Sequence, residues 1–348
     1  MHNVLIIKLR YIGDVLLSTP VIRAIRTAYP NARVTAAVNR GTESVLALNP
    51  DVDEVLIVER RSLLRQLRFA LDLRSRRFDC VLDLTDGDRS AILSWFSGAP
   101  IRIGFNLEHR WRGRLYTSVV DPRGAHSTHQ IERNLAALRP LGVEAAARSP
   151  VLNVSQHDET AARQVIDKIG PSSLATPLVM LQPGARYWFK AWPVERFAEL
   201  ADRLSSAYGC RVLISGDRSE LPVAEKIRQL ARCAPVVVTG RLTLLQFAAI
   251  LRHCSLFVGN DSGAMHIAAA MGTPLVALFG PSDPAEWGPR GTRAEIAYKG
   301  LDCQPCYRST CTRGEGSCMK LISVDEVYAM ASRQLDLQRT TPIGYAHV

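Results

Sequence analysis

The chain has 348 residues, 47% of them apolar and 22% charged, with a formal net charge of +10. That length exceeds the size at which one hydrophobic core stops growing, so two domains are expected, and the composition excludes a disordered or fibrous chain. The positive balance favours anionic partners such as phosphorylated sugars or acidic lipid, whereas no zinc-finger spacing, arginine–glycine tail or aromatic RNA-binding motif supports nucleic acid.

The opening run Val4–Ile7, ended by Lys8, is shorter than the apolar region of a signal peptide, and no small-residue cleavage site follows it. It predicts a buried first strand. No run approaches the roughly 18 apolar residues of a membrane span; the most apolar stretch, Ala268–Gly280, is broken by Gly272 and Pro274. The expectation is a cytoplasmic protein whose membrane contact, where it has any, is peripheral.

Strand-like runs then follow at Val34–Val38, Val55–Val58, Cys80–Leu84 and Ile101–Gly104, with helical patterns near 15–29, 42–48, 62–76, 88–97 and 127–140. Residues 143–156 show no clear period and read as a connector. After a helix at 157–168 and a Pro/Ser-rich gap, Pro171–Pro177, a second series begins. Its strands are Leu178–Gln182, Arg211–Ser215, Val236–Thr239, Leu256–Val258 and Leu275–Phe279. Its helices lie near 194–207, 219–232, 243–252, 264–271 and 323–336, and Thr340–Val348 reads as a frayed tail. Short apolar strands alternating with helices imply parallel sheets covered on both faces. The predicted fold is therefore α/β, with two doubly wound domains, 1–150 and 151–340, and a cleft between them. In such sheets ligands bind outside the carboxyl ends of the strands, so the loops there carry the chemistry.

The first such loop runs Lys8-Leu9-Arg10-Tyr11-Ile12-Gly13-Asp14. Asp14 has two readings: a general base for an acceptor hydroxyl, or a helix N-cap, which Asp favours. The loop lacks G-x-G-x-x-G, which argues against a dinucleotide dehydrogenase. The amphipathic stretch Arg60-Arg61-Ser62 to Leu71 puts Leu63, Leu67, Ala70 and Leu71 on one face. Its arginines suit an anionic acceptor or bilayer, or simply form the outer face of a packed helix.

In the second half, Gln182 to Pro193 crowds a glycine, Arg186, Lys190 and the rings Tyr187, Trp188, Phe189 and Trp192 into one loop. Lysine, arginine and backbone N–H groups there suit a diphosphate; the plainer reading is an aromatic-anchored loop with solvated cations. Glu220 stands either where a carboxylate accepts ribose hydroxyls or as a solvated first-turn Glu favoured by the helix dipole. Gly259-Asn260-Asp261-Ser262-Gly263-Ala264-Met265-His266 opens an Ala-rich helix whose N–H groups suit a phosphate. Against that stands Asp261 or Ser262 as an N-cap, with His266 in the core.

The chain has eight cysteines. Cys80, Cys210, Cys233 and Cys254 read as buried reduced thiols. Cys303, Cys306, Cys311 and Cys318 follow the spacing C-x2-C-x4-C-x6-C, which departs from the paired zinc pattern; structural zinc and reduced thiols in a packed loop both stand.

With these motifs in place, the chain resembles the heptosyltransferases of glycosyltransferase family 9 from Val4 to about Val327. The segment RYIGDVLLSTPVIRAIRTAYPNARV, Arg10 to Val34, looks most like the third-heptose branch. The resemblance implies a GT-B architecture: two Rossmann-like domains facing across a cleft. It also implies inverting transfer of heptose from ADP-heptose to the lipid A–core oligosaccharide of lipopolysaccharide, without a metal or other cofactor. On that resemblance Asp14 is the catalytic base, Lys190 holds the donor diphosphate, and Asp261, Ser262, Gly263 and His266 form the donor turn. Glu220 falls on the ribose carboxylate, and Arg60 and Arg61 face the phosphorylated acceptor. Ser262 keeps the hydroxyl that relatives supply with Thr. The competing functions are transfer of another nucleotide-activated sugar, an epimerase of the same shape, a two-lobed solute receptor, and a silent envelope-assembly protein.

Overall fold

The computed structural model describes residues 1–59, 63–122, 128–170, 176–306, 308 and 310–340. The expected frayed tail falls, apart from Thr340, outside them, as does residues 171–175 of the Pro/Ser-rich gap. The chain divides into two compact units, one ending at Asn153 and the other starting at Val154.

The first unit runs β1 (Asn3–Lys8), α1 (Ile12–Leu16), α2 (Thr19–Ala28), β2 (Arg33–Asn39), β3 (Glu54–Val58), α3 (Leu63–Ser75), β4 (Cys80–Asp83), α4 (Asp88–Phe96), β5 (Ile101–Phe105), β6 (Ser118–Val120) and α5 (Gln130–Leu135). Among the described residues its strands form one parallel six-stranded sheet in the order β3-β2-β1-β4-β5-β6. Helices cover the apolar strands: Leu5, Ile7, Val81, Leu73 of α3 and Leu93 of α4 share one buried cluster.

The second unit runs α6 (Gln156–Ile169), β7 (Leu178–Gln182), α7 (Val194–Tyr208), β8 (Arg211–Ile214), α8 (Leu221–Leu230), β9 (Val236–Val237), α9 (Leu244–Arg252), β10 (Leu256–Asn260), α10 (Gly263–Ala270), β11 (Leu275–Phe279), α11 (Pro284–Trp287), β12 (Ala294–Tyr298), α12 (Cys318–Leu321) and α13 (Val324–Thr340). Its sheet, again six parallel strands among the described residues, has the order β12-β11-β10-β7-β8-β9. Counted within each unit, both sheets have the Rossmann order, with the reversal between the first and fourth strands. The two units are Rossmann-like doubly wound domains, the GT-B class.

Three expected elements differ, and two strands were not expected. The helix at 15–29 is two helices, because Pro20 has no N–H to give to the preceding turn; the Ser18 and Thr19 hydroxyls donate instead to the Val15 and Leu16 carbonyls, at 2.7 and 2.8 Å. The pattern at 42–48 is only a 3-10 turn, Glu43–Val45, confined between Gly41 and Pro50, which disfavours a helical Asn49. The 127–140 pattern is α5 followed by a 3-10 stretch, Ala136–Leu141, with Pro140 inside it; residue 127 lies outside the described residues. Strands β6 and β12, both sheet edges, stand outside the expected strands: β6 is only three residues long, and Glu295 interrupts the apolar residues of β12.

The amphipathic face assigned to α3 is also corrected. Ala70 and Leu73 are buried, but Leu67 and Leu71 are exposed, at 55% and 67%. The stripe facing the sheet is therefore rotated away from the one that the leucine spacing suggests.

Candidate active site

Each sheet reverses its winding at one place, and both candidate clusters lie at these points. In the first unit, β1 ends at Lys8 and β4 at Asp83, side by side. The loops that follow are tied together: Leu9 N–H donates to Thr85 Oγ1 at 2.9 Å, and the Arg10 guanidinium donates to the Thr85 carbonyl at 3.1–3.2 Å. Asp14 stands in the first turn of α1, half-buried. The N-cap of α1 is Tyr11, so the capping reading of Asp14 is wrong. Among the described residues the Asp14 carboxylate accepts no hydrogen bond and makes no ion pair.

Beneath it lies a residue that the sequence did not flag. Lys8 is 3% exposed and donates to the Leu84 carbonyl at 2.7 Å and Asn134 Oδ1 at 3.1 Å. Desolvation lowers its pKa to about 8, opposed by the negative field of Asp14 and Asp83. Asp83 is also buried and accepts from the Tyr116 hydroxyl at 2.7 Å; burial raises its pKa. Both are polar residues ending apolar strands, which was the available signal. Arg60 and Arg61 lie outside the described residues.

In the second unit, β7 ends at Gln182 and β10 at Asn260, again as neighbours. Asn260 is fully buried; its amide donates to the Pro183 carbonyl at 2.7 Å and its oxygen accepts from Trp192 N–H at 3.1 Å. Trp192 anchors the loop, with its indole N–H on the Ile322 carbonyl at 2.9 Å. Between these fixed ends Lys190 reaches Asp261, Nζ to Oδ2 2.7 Å, and Ser282 Oγ donates to the same oxygen at 2.6 Å. Lys190 is therefore not a freely solvated cation, and Asp261 is not a cap.

Ser262 is the backbone N-cap of α10, yet its side chain makes no capping bond. Its hydroxyl oxygen is buried and has no hydrogen-bond partner among the described residues. The first amides of an eight-residue helix are thus left open beside an oriented hydroxyl and a fixed lysine, a ready-made place for a phosphate oxygen. Gly263 begins that helix and His266 lies buried one turn in.

Glu220 is not the solvated residue of its plainer reading. It sits at the third position of a capping box with Asp217, whose N–H it accepts at 2.8 Å, and it accepts from Gln182 Nε2 at 3.2 Å. Burial raises its pKa, and the neighbouring Asp217 charge adds to this. A Cβ at Gly184 would fall 1.8 Å from its Oε1, so Gly184 is what admits the carboxylate to this position. The structure brings Lys190, Glu220, Asp261, Ser262, Gly263 and His266 to the loops at the carboxyl ends of β7, β8 and β10.

The eight cysteines are free thiols. Cys80, Cys210 and Cys254 are buried and Cys233 half-buried. The loop carrying the other four is pinned to the end of β11, with Cys306 N–H on the Pro281 carbonyl at 2.9 Å. Among the described residues no three His, Cys, Asp or Glu side chains form a metal-holding group.

The family model for glycosyltransferase family 9 (heptosyltransferase) matches residues 66–316. Lipopolysaccharide heptosyltransferase 3 of Escherichia coli is 31% identical over 293 residues, covering 81% of this chain and 84% of its own. Among solved structures, a family 9 glycosyl transferase from Veillonella parvula DSM 2008 has a TM-score of 0.84 at 24% identity, covering 97% of both chains. The E. coli ADP-heptose lps heptosyltransferase II gives 0.79 at 24% identity, covering 97% of this chain and all of that one. Order of strands, placement of the two clusters and sequence similarity agree: the chain belongs to glycosyltransferase family 9, the heptosyltransferases.

Proposed function

We propose that this glycosyltransferase moves heptose from ADP-heptose to the inner core of lipopolysaccharide, with inversion at the anomeric carbon. The observation that carries the reading is the open α10 terminus beside Lys190, where Ser262 buries a hydroxyl that has no hydrogen-bond partner among the described residues. A diphosphate satisfies that hydroxyl, the open amides and the lysine at once. Glu220 then takes the ribose hydroxyls, and His266 supports the donor turn from its buried place.

In this reading the first unit binds the acceptor sugar and the second the donor. Asp14, in the first turn of α1 just after β1 and without a competing partner among the described residues, takes the proton of the attacking hydroxyl. As the glycosidic bond to ADP breaks, negative charge grows on the diphosphate. The α10 amides, Ser262 and Lys190 are oriented for that charge in advance, which lowers the barrier without reorganisation. Arg60 and Arg61 are assigned to the acceptor phosphates. Work on a lipid-linked acceptor fits a cytoplasmic enzyme acting at the inner face of the membrane; among the described residues no helix is long and apolar enough to cross it.

Incubation with ADP-heptose and core-truncated lipopolysaccharide, read by mass, tests the reaction. The expected product is heavier by one heptose. Turnover of a different nucleotide sugar only, or donor consumption without acceptor gain, would refute it.

A further inference from the structure

Helices α3 and α4 lie side by side over one face of the first sheet, burying Leu73 and Leu93 in the same cluster. Their outer surfaces are not those of ordinary solvated helices. On α3, Leu67 and Leu71, one turn apart, are 55% and 67% exposed. On α4, Ile92, Trp95 and Phe96 form a second stripe at helical spacing, with Trp95 half exposed at 50% and the other two at 38% and 37%. Arg74 continues the α3 stripe, and its guanidinium lies over Gly98 just past α4: a Cβ there would fall 2.8 Å from Nη1. The two stripes are thus neighbours on one surface.

The charge around them is positive. Arg68 and Arg74 have no carboxylate partner among the described residues. Arg65 approaches a carboxylate, Glu59, only at 3.9 Å, and the α3 acid Asp72 is taken by Arg76 at 2.9 Å. Adjacent exposed apolar side chains mark a binding surface rather than a solvated one. Leucine and tryptophan framed by arginine is the chemistry of the water–lipid boundary.

We propose that the α3–α4 face docks the enzyme on a bilayer containing anionic lipid, Leu67, Leu71, Ile92, Trp95 and Phe96 entering the boundary and Arg68 and Arg74 meeting lipid phosphates. This surface rests on the reading above in that a lipid-linked acceptor requires the enzyme to work at a membrane. The residues are distinct from those assigned to donor and acceptor.

The test is co-flotation with phosphatidylcholine vesicles, with and without phosphatidylglycerol. The chain floats with the anionic vesicles, and salt weakens the association. Leu71→Gln with Trp95→Gln abolishes flotation; Arg68→Gln with Arg74→Gln weakens it roughly 30-fold, at the usual contribution of a basic residue near an anionic surface. Because these side chains are exposed, melting temperature and transfer to an acceptor stripped of its acyl chains stay unchanged, while transfer to a vesicle-embedded acceptor falls. Undiminished flotation of both double variants overturns the proposal, as does a fall in oligomeric mass in their place, which would assign the face to a second copy of the chain. Loss of transfer to both acceptors by the unaltered enzyme would instead refute the proposed reaction and leave flotation to decide the surface.

Discussion

Burial leaves the Lys8 ammonium with two neutral acceptors, and its pKa falls from 10.5 to about 8. Between those values the folded chain has released this proton while the unfolded chain still holds it, so the group's contribution to stability rises with pH across that interval. The full gain is about 3 kcal/mol. Urea unfolding of the protein and of Lys8→Met, at neutral pH and at about pH 10, isolates it from other alkaline titrations. The unaltered protein should gain on the variant as pH rises; parallel pH dependences would show that Lys8 is not a desolvated cation. The residues alone left Asp14 between a base and a helix N-cap, and only the family resemblance chose the base; the structure removes the cap reading, since Tyr11 holds that position. The burial of Lys8, which ends β1, was not legible, because the same position would suit a snorkelling lysine at a strand end.

At the level of elements, loops were easier to place than helix faces. The 183–193 loop is held because Asn260, Trp192 and Asp261 fix its two ends, and none of these contacts is local in sequence. Composition indicated a cationic loop but not that Lys190 is paired. The α3 leucines misled, because apolar spacing on an exposed helix does not say which stripe meets the sheet. The loop also makes a sharp demand at Gly184. Its Cβ in a Gly184→Ala variant would displace the Glu220 carboxylate, the mobile end of a side chain, so the fold should persist. ADP affinity should fall about tenfold if that carboxylate holds the ribose, the loss of one charged hydrogen bond. Calorimetry giving an unchanged affinity would remove Glu220 from the donor site.

For the molecule as a whole, two runs of apolar strands separated by helices were enough to read two parallel sheets. The strands β6 and β12 escaped because the first is only three residues long and Glu295 breaks the apolar run of the second. Strand order could not be read from periodicity, and it is strand order that makes neighbours of β1 with β4 and of β7 with β10. At those two reversals stand a carboxylate that has no hydrogen-bond or ion-pair partner among the described residues and an anion-ready helix terminus, the pair on which the proposed transfer depends. The most direct measurement is Asp14→Asn assayed for heptose transfer and, in parallel, for ADP binding. The expected result is a fall in turnover of at least about 100-fold, the usual worth of a positioned base, with ADP affinity and melting temperature unchanged. Turnover close to that of the unaltered enzyme would contradict it.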